Sequence, residues 1–161
     1  MNIFEYALEK EKQSRQYYKD LAEKCGNEGL NYILNMLAEE EDRHIIIIQN
    51  MQDKHPEMLP PSNLLENARK TFAKMKDSKS TFDFNVSQVE LYKKAREMEK
   101  IALEYYAGQI NELKDEIQKK IFQKLSDEEQ RHYDLLGNII EFITRPQSWL
   151  ENAEFHHVDE Y

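Results

Sequence analysis

Helix breakers and thiols are scarce in this chain: glycine and proline occur four times each in 161 residues, and cysteine once. Cys25 alone cannot form an internal disulfide or a four-cysteine metal site, which excludes iron–sulfur chemistry by composition. No apolar run approaches the roughly 18 residues that span a bilayer; the longest is Ile45–Ile48. The opening stretch, MNIFEYALEKEK, is charged within a few residues and has no apolar signal core, so a cytoplasmic location is expected. Basic residues are also in deficit. Lys and Arg number 22 against 31 Asp and Glu, and the net charge of −9 argues against nucleic acid and anionic membranes as partners.

What is present is a helical pattern. Charged residues (33%) and apolar residues (40%) are interleaved at helical spacing, which a disordered chain does not show. The length suits one domain. Four long helices are predicted, over residues 3–25, 28–54, 87–113 and 115–143. Gly26 and Gly29 bracket Asn27 as a C-cap and turn signal that sends the second helix back antiparallel. His55-Pro56 stops that helix, with the imidazole suited to the negative end of the dipole. The connection after it contains SNLLENARKTFAKMKD, which can form a short amphipathic helix capped by Ser62 or Asn63. SKSTFDFNVS reads as a loop, with Asn85 or Ser87 as the next N-cap. The expected fold is an all-α four-helix bundle with a long crossover between helices two and three. Residues 1–145 form the bundle and 146–161 a C-terminal tail.

The chain repeats itself. A shift of 88 residues lays ALEKEKQSRQYY (7–18) over AREMEKIALEYY (95–106), and LAEEEDRH (37–44) over LSDEEQRH (125–132). Glu11, Tyr18, Glu41 and His44 then meet Glu99, Tyr106, Glu129 and His132. Two related helical hairpins with approximate twofold symmetry follow.

Polar residues occupy the apolar faces of all four helices. On helix two the stripe Leu30, Leu34, Leu37, then Ile48 and Met51 has two steps missing, and Glu41 and His44 fill them. Glu129 and His132 fill the corresponding steps between Leu125 and Leu136. Glu11 stands between Ala7 and Tyr18, and Glu99 between Ala95 and Tyr106. Four carboxylates and two imidazoles therefore point into one interior. Each unpaired buried carboxylate costs several kcal/mol, as an order of magnitude. Two divalent cations balance the four negative charges. The i, i+3 spacing lets one Glu and one His reach the same metal pair, and mixed carboxylate and imidazole donors suit iron or manganese more than zinc or calcium.

With these motifs (ALEKEKQSRQYY, EEDRH, AREMEKIALEYY, EEQRH) the chain resembles the ferritin-like di-iron carboxylate superfamily, rubrerythrins most closely, over roughly residues 3–143. The resemblance implies two iron ions, with manganese as the alternative. Glu11 and Glu99 would be terminal ligands, Glu41 and Glu129 would bridge, and His44 and His132 would cap one ion each. Tyr18 and Tyr106 are placed either to hydrogen-bond a ligand carboxylate or to serve as aromatic core, or both. Tyr17 and Tyr105 face neighbouring helices. Arg43 and Arg131 read as solvated or ion-paired surface positions, and Glu40 and Glu128 as flanking surface acids.

Three departures shape the expected function. Rubrerythrins resemble a di-iron bundle joined to an iron–tetracysteine (rubredoxin) domain; this chain lacks those cysteines, so an external electron donor protein is expected. Ala102 stands where rubrerythrins carry an additional Glu, so the metal movement linked to that acid does not carry over. The tail is too weakly patterned for the fifth helix of shell-forming ferritins, and its Trp149, Phe155, His156 and His157 fit a flexible or partner-packed segment. The resemblance implies an oxidoreductase reducing hydrogen peroxide or dioxygen; the alternative is a ferroxidase that oxidises and then stores or transfers iron. A homodimer is expected from the resemblance and from the breadth of the Ile45–Ile48 surface.

Overall fold

The computed structural model describes residues 1–58, 60–77 and 87–145. The expected loop with Asn85, and the tail with Trp149, Phe155, His156 and His157, lie outside the described residues. Helix α1 (Ile3–Lys24) opens on Asn2, whose side-chain oxygen accepts from Glu5 N–H at 2.8 Å while Glu5 reaches back to Asn2 N–H. That reciprocal pair satisfies donors that a helix start otherwise leaves unpaired.

Helix α2 (Glu28–Gln52) begins where Asn27 accepts from Leu30 N–H at 2.9 Å. Asn27 is thus an N-cap, and the turn does not use a left-handed glycine: α1 ends on extended Cys25, and no described glycine has positive φ. Gly29 lies inside the first turn of α2, where an added Cβ would come within 2.4 Å of Met75 Sδ. Its small size lets the next helix approach. The stop at the far end comes before Pro56: Lys54 takes φ 62°, and His55 N–H donates to Asn50 O at 2.8 Å.

Helix α3 (Leu64–Asp77) lies in the crossover and packs on α2. Ser62 Oγ accepts from Leu64 N–H at 3.2 Å, and Leu64, Ala68, Phe72 and Met75 form its buried stripe. Helix α4 (Ser87–Gln109) tightens into a 3₁₀ turn at Ile110–Glu112, so the expected continuous helix to 113 changes pitch in its last turn. Asp115 caps α5 (Glu116–Thr144) through the N–H groups of Ile117 and Gln118.

The packing is that of two antiparallel hairpins, α1 on α2 and α4 on α5, joined by the α3 crossover. This is the all-α ferritin-like bundle. Its apolar interior is divided. One cluster gathers Leu30, Leu34, Leu37, Phe72, Leu136 and Phe142; the other gathers Ala7, Ile48, Met51, Ile121, Phe122 and Leu125. Each fully buried Leu, Ile or Phe contributes about 1.5–3 kcal/mol, enough across two clusters to hold a polar layer between them. The Ile45–Ile48 run belongs mostly to the interior: Ile45, Ile47 and Ile48 are buried and only Ile46 is exposed. That run therefore offers little surface for a dimer. No helix among the described residues is long and apolar enough to cross a membrane.

Candidate metal centre

The polar layer between the two clusters contains all six predicted positions. Glu11 (α1), Glu41 and His44 (α2), Glu99 (α4), and Glu129 and His132 (α5) are each 2% exposed or less. They sort into two groups whose donor atoms lie within 4.8 Å of one another. Glu11, Glu41, His44 and Glu129 form one; Glu41, Glu99, Glu129 and His132 form the other. Glu41 and Glu129 belong to both. Glu129 sets Oε1 2.7 Å from His44 Nδ1 and Oε2 3.9 Å from His132 Nδ1. Glu41 does the converse, with Oε1 3.3 Å from His132 Nδ1 and Oε2 3.9 Å from His44 Nδ1. Glu11 approaches only His44 Nδ1, at 3.4 Å, and Glu99 only His132 Nδ1, also at 3.4 Å. The imidazole rings are parallel within 8°, with centroids 5.8 Å apart.

These atoms converge without pairing. Glu11 Oε2, both oxygens of Glu41, Glu99 Oε2, Glu129 Oε1 and the Nδ1 atoms of His44 and His132 are buried with no hydrogen-bond partner. His44 Nδ1 and Glu129 Oε1 are close in distance yet misaligned for a hydrogen bond. Donors that crowd together without bonding are aimed at a shared third atom. Folded proteins rarely leave even a few buried polar atoms unsatisfied. An all-oxygen-and-nitrogen set of four carboxylates and two imidazoles fits a pair of divalent metal ions.

Electrostatics distribute protons unevenly over this cluster. Burial, followed by the charges of neighbouring carboxylates, holds Glu41 and Glu129 well above the ordinary carboxyl range. Burial also opposes ionisation of Glu99, but the His132 charge, the close approach of Glu129 and the hydrogen bond from Tyr18 outweigh it and lower its pKa to about 2. Glu11 is lowered in the same way: burial is outweighed by the close approach of Glu41, by the His44 charge and by the hydrogen bond from Tyr106. Burial disfavours both imidazolium ions, yet the Glu11 charge beside His44 and the Glu99 charge beside His132 leave both histidines raised.

The surrounding residues orient the donors. Tyr18 O–H on α1 donates to Glu99 Oε1 on α4 at 2.5 Å, and Tyr106 O–H on α4 donates to Glu11 Oε1 on α1 at 2.5 Å. Each hairpin's tyrosine thus holds the other hairpin's carboxylate. Burial and the adjacent carboxylates push both phenols well above their ordinary pKa, which keeps them donors. Tyr17 and Tyr105 also cross between hairpins, donating to Leu91 O at 2.6 Å and Ile3 O at 2.8 Å.

Glu40 and Glu128 are not surface acids. They are only 7% and 6% exposed, because one step off the stripe on a bundle helix still faces a neighbouring helix. Glu128 Oε1 lies 2.9 Å from His44 Nε2, fixing which nitrogen faces the centre. Burial opposes its charge, but the bond to His44 outweighs it and lowers its pKa. Glu40 instead accepts from Ser62 Oγ at 2.5 Å and from Arg43. Arg43 is half-buried and ion-paired; it also reaches Glu128 at 3.4 Å and Pro60 O at 2.7 Å. Glu40, His44 and Glu128 converge as a third donor group, but Arg43 already supplies the cation between its two carboxylates.

A family model described as rubrerythrin matches residues 2–140. The chain belongs to the rubrerythrin family. Among solved structures, a hypothetical protein from Pyrococcus furiosus is similar at 24% identity and TM-score 0.65, covering 88% of each chain, a likeness of fold. No curated protein matched. The family and the buried donor cluster together fit a di-metal centre.

Proposed function

We propose that this rubrerythrin-family protein is a di-iron oxidoreductase that reduces hydrogen peroxide or dioxygen. The observation that supports this reading best is the division of six buried donors into two groups sharing Glu41 and Glu129. That sharing is what a carboxylate-bridged pair needs: Glu11 and His44 serve one ion, Glu99 and His132 the other. The iron pair, when bound, supplies two electrons, one from each ion. The protein's own residues do the rest. Tyr18 and Tyr106 each hold Oε1 of a terminal carboxylate, leaving Glu99 Oε2 and Glu11 Oε2 unpaired. Glu128 holds the His44 ring, and the flanking apolar clusters exclude bulk water from the layer.

With one cysteine among these 161 residues, the chain cannot build its own iron–tetracysteine relay, and we assign the electron supply to a separate donor protein. The test is stopped-flow mixing of the ferrous-loaded protein with peroxide or dioxygen. Oxidation much faster than that of free ferrous iron is expected. A rate no faster than free iron would sink the enzyme reading.

A further inference from the structure

Helices α1 and α4 touch each other far less than each touches its hairpin partner, and a cavity of about 80 Å³ lies between them. Its outer end is flanked by exposed Ile101 and half-buried Tyr6, and Glu11 lines its buried end. The space arises from side-chain size. Ser14 and Ala102, one turn beyond Glu11 and Glu99, both line it, and both are small. Glu99 does not line it, so the cavity leads to one half of the centre.

A water-sized molecule needs roughly 10–15 Å³ of such space, so the cavity holds several. Two of its three phenols are engaged: Tyr106 O–H donates to Glu11, and Tyr105 O–H to Ile3 O. Lys10, Gln13 and Ser14 add polar groups to the lining; the remaining walls present rings and aliphatic groups, over which an uncharged solute passes without losing an ionic hydration shell. An anion could pair with Lys10, whose Nζ lies over the Tyr6 ring, but would then have to advance on the Glu11 carboxylate at the buried end.

We propose that this cavity is the port through which a small uncharged oxidant of hydrogen peroxide's size reaches the Glu11–His44 half of the centre, with Ala102 keeping it open. The inference rests on the di-iron reading above. Two experiments test it. In metal-free protein carrying Cys25→Ser and Ala102→Cys, the thiol is alkylated by iodoacetamide in the folded state. Relative to glutathione, iodoacetate of similar size reacts about tenfold more slowly or worse, as expected for an anion meeting a buried carboxylate. Alkylation only at the rate of global unfolding overturns the port.

The second experiment fills the cavity with Ala102→Phe. Metal content and melting temperature stay near the parent values, while the second-order rate of ferrous oxidation by peroxide falls about tenfold or more, since access is lost and donors are kept. An unchanged rate in a folded, fully loaded Ala102→Phe protein overturns the port and leaves the di-iron reading standing. A parent that does not react with peroxide overturns that reading, and the oxidant port with it.

Discussion

Metal loading of this protein should expel protons, and the number follows from the charge arrangement in the core. The directions of the shifts favour, in the metal-free form, protons on Glu41 and Glu129, ionised Glu11 and Glu99, and charged His44 and His132. Two anions and two cations leave the layer neutral, which is the only affordable state for groups this deeply buried. A metal pair demands four ionised carboxylates and two neutral imidazoles, again neutral overall. The difference is four protons, one each from Glu41, Glu129, His44 and His132. Each proton released per pair steepens the loading constant tenfold per pH unit, or about 1.4 kcal/mol. Four protons therefore give about 5.5 kcal/mol per pH unit wherever all four groups stay protonated in the metal-free form.

The assay is anaerobic titration of metal-free protein with manganous or ferrous ion in weak buffer. Protons are followed by an indicator dye and bound metal by elemental analysis. Close to four protons per two ions is expected near pH 6, and apparent affinity must rise with pH because protons compete with metal. Binding of two ions with almost no proton release would show that the carboxylates are already ionised, and would refute the charge arrangement.

The same arrangement predicts an asymmetry among conservative substitutions in the metal-free protein. Glu41→Gln replaces a neutral acid with a neutral amide and should change thermal stability by about 1 kcal/mol or less. Glu99→Gln removes a carboxylate whose pKa is depressed to about 2 from 4.5, and should cost about 3 kcal/mol by thermal or denaturant unfolding near neutral pH. Stability from Glu99 is present above its unfolded pKa and is lost as pH falls toward about 2. Glu41, Glu129, His44 and His132 have raised folded pKa values, so their contribution is full below the unfolded values and fades as pH rises through the folded ones. The melting temperature of metal-free protein should therefore fall between about pH 5 and 8, with much less fall once metal is bound. Glu128→Gln should weaken metal affinity about 10–100-fold at one of the two sites while leaving the fold intact. Equal weakening at both sites, measured by competition with a chelator, would contradict a role exerted through its bond to His44.

The six donors were legible because a helix has a fixed period. A glutamate filling the step between Leu37 and Ile48 is visible as polarity on an apolar stripe, and the 88-residue repeat shows the same anomaly again at Glu129. Burial of Glu40 and Glu128 escaped the same reasoning. A position about 100° from the stripe faces water on an isolated hairpin, but in a four-helix bundle it meets the next helix. One signal was present: the repeat keeps an acid and an arginine, Glu40 with Arg43 and Glu128 with Arg131, at matching places beside the donors. The partners of Tyr18 and Tyr106 were legible as a class, a ligand carboxylate, but not as individuals. The exchange of tyrosines between hairpins depends on how α1 crosses α4, which no spacing within one helix encodes. Ser62 was readable only as a helix cap; its second bond, to Glu40, requires the crossover to fold back over α2.

The repeat makes the donors symmetric, and the crossover breaks the symmetry of what surrounds them. Glu128 pairs with His44 Nε2, but its counterpart Glu40 is drawn away from His132 by Ser62 and Arg43. Arg43 in turn is tied to Pro60 O, so the segment leading into α3 fixes both acids at once. Its counterpart Arg131 has no partner at Nε, and with His132, Ser62 and Leu64 it lines a second, smaller cavity of about 30 Å³. The cavity between α1 and α4 also opens toward Glu11 and not Glu99. Two identical donor sets thus acquire different surroundings: His44 is braced by Glu128 and its group-mate Glu11 lines the larger cavity, while His132 lines the smaller one beside the crossover. Chemistry on a small substrate would gain from such inequality, because the larger cavity gives one side of the centre readier access than the other. A single long connection, inserted into one of two matched hairpins, is sufficient to produce it.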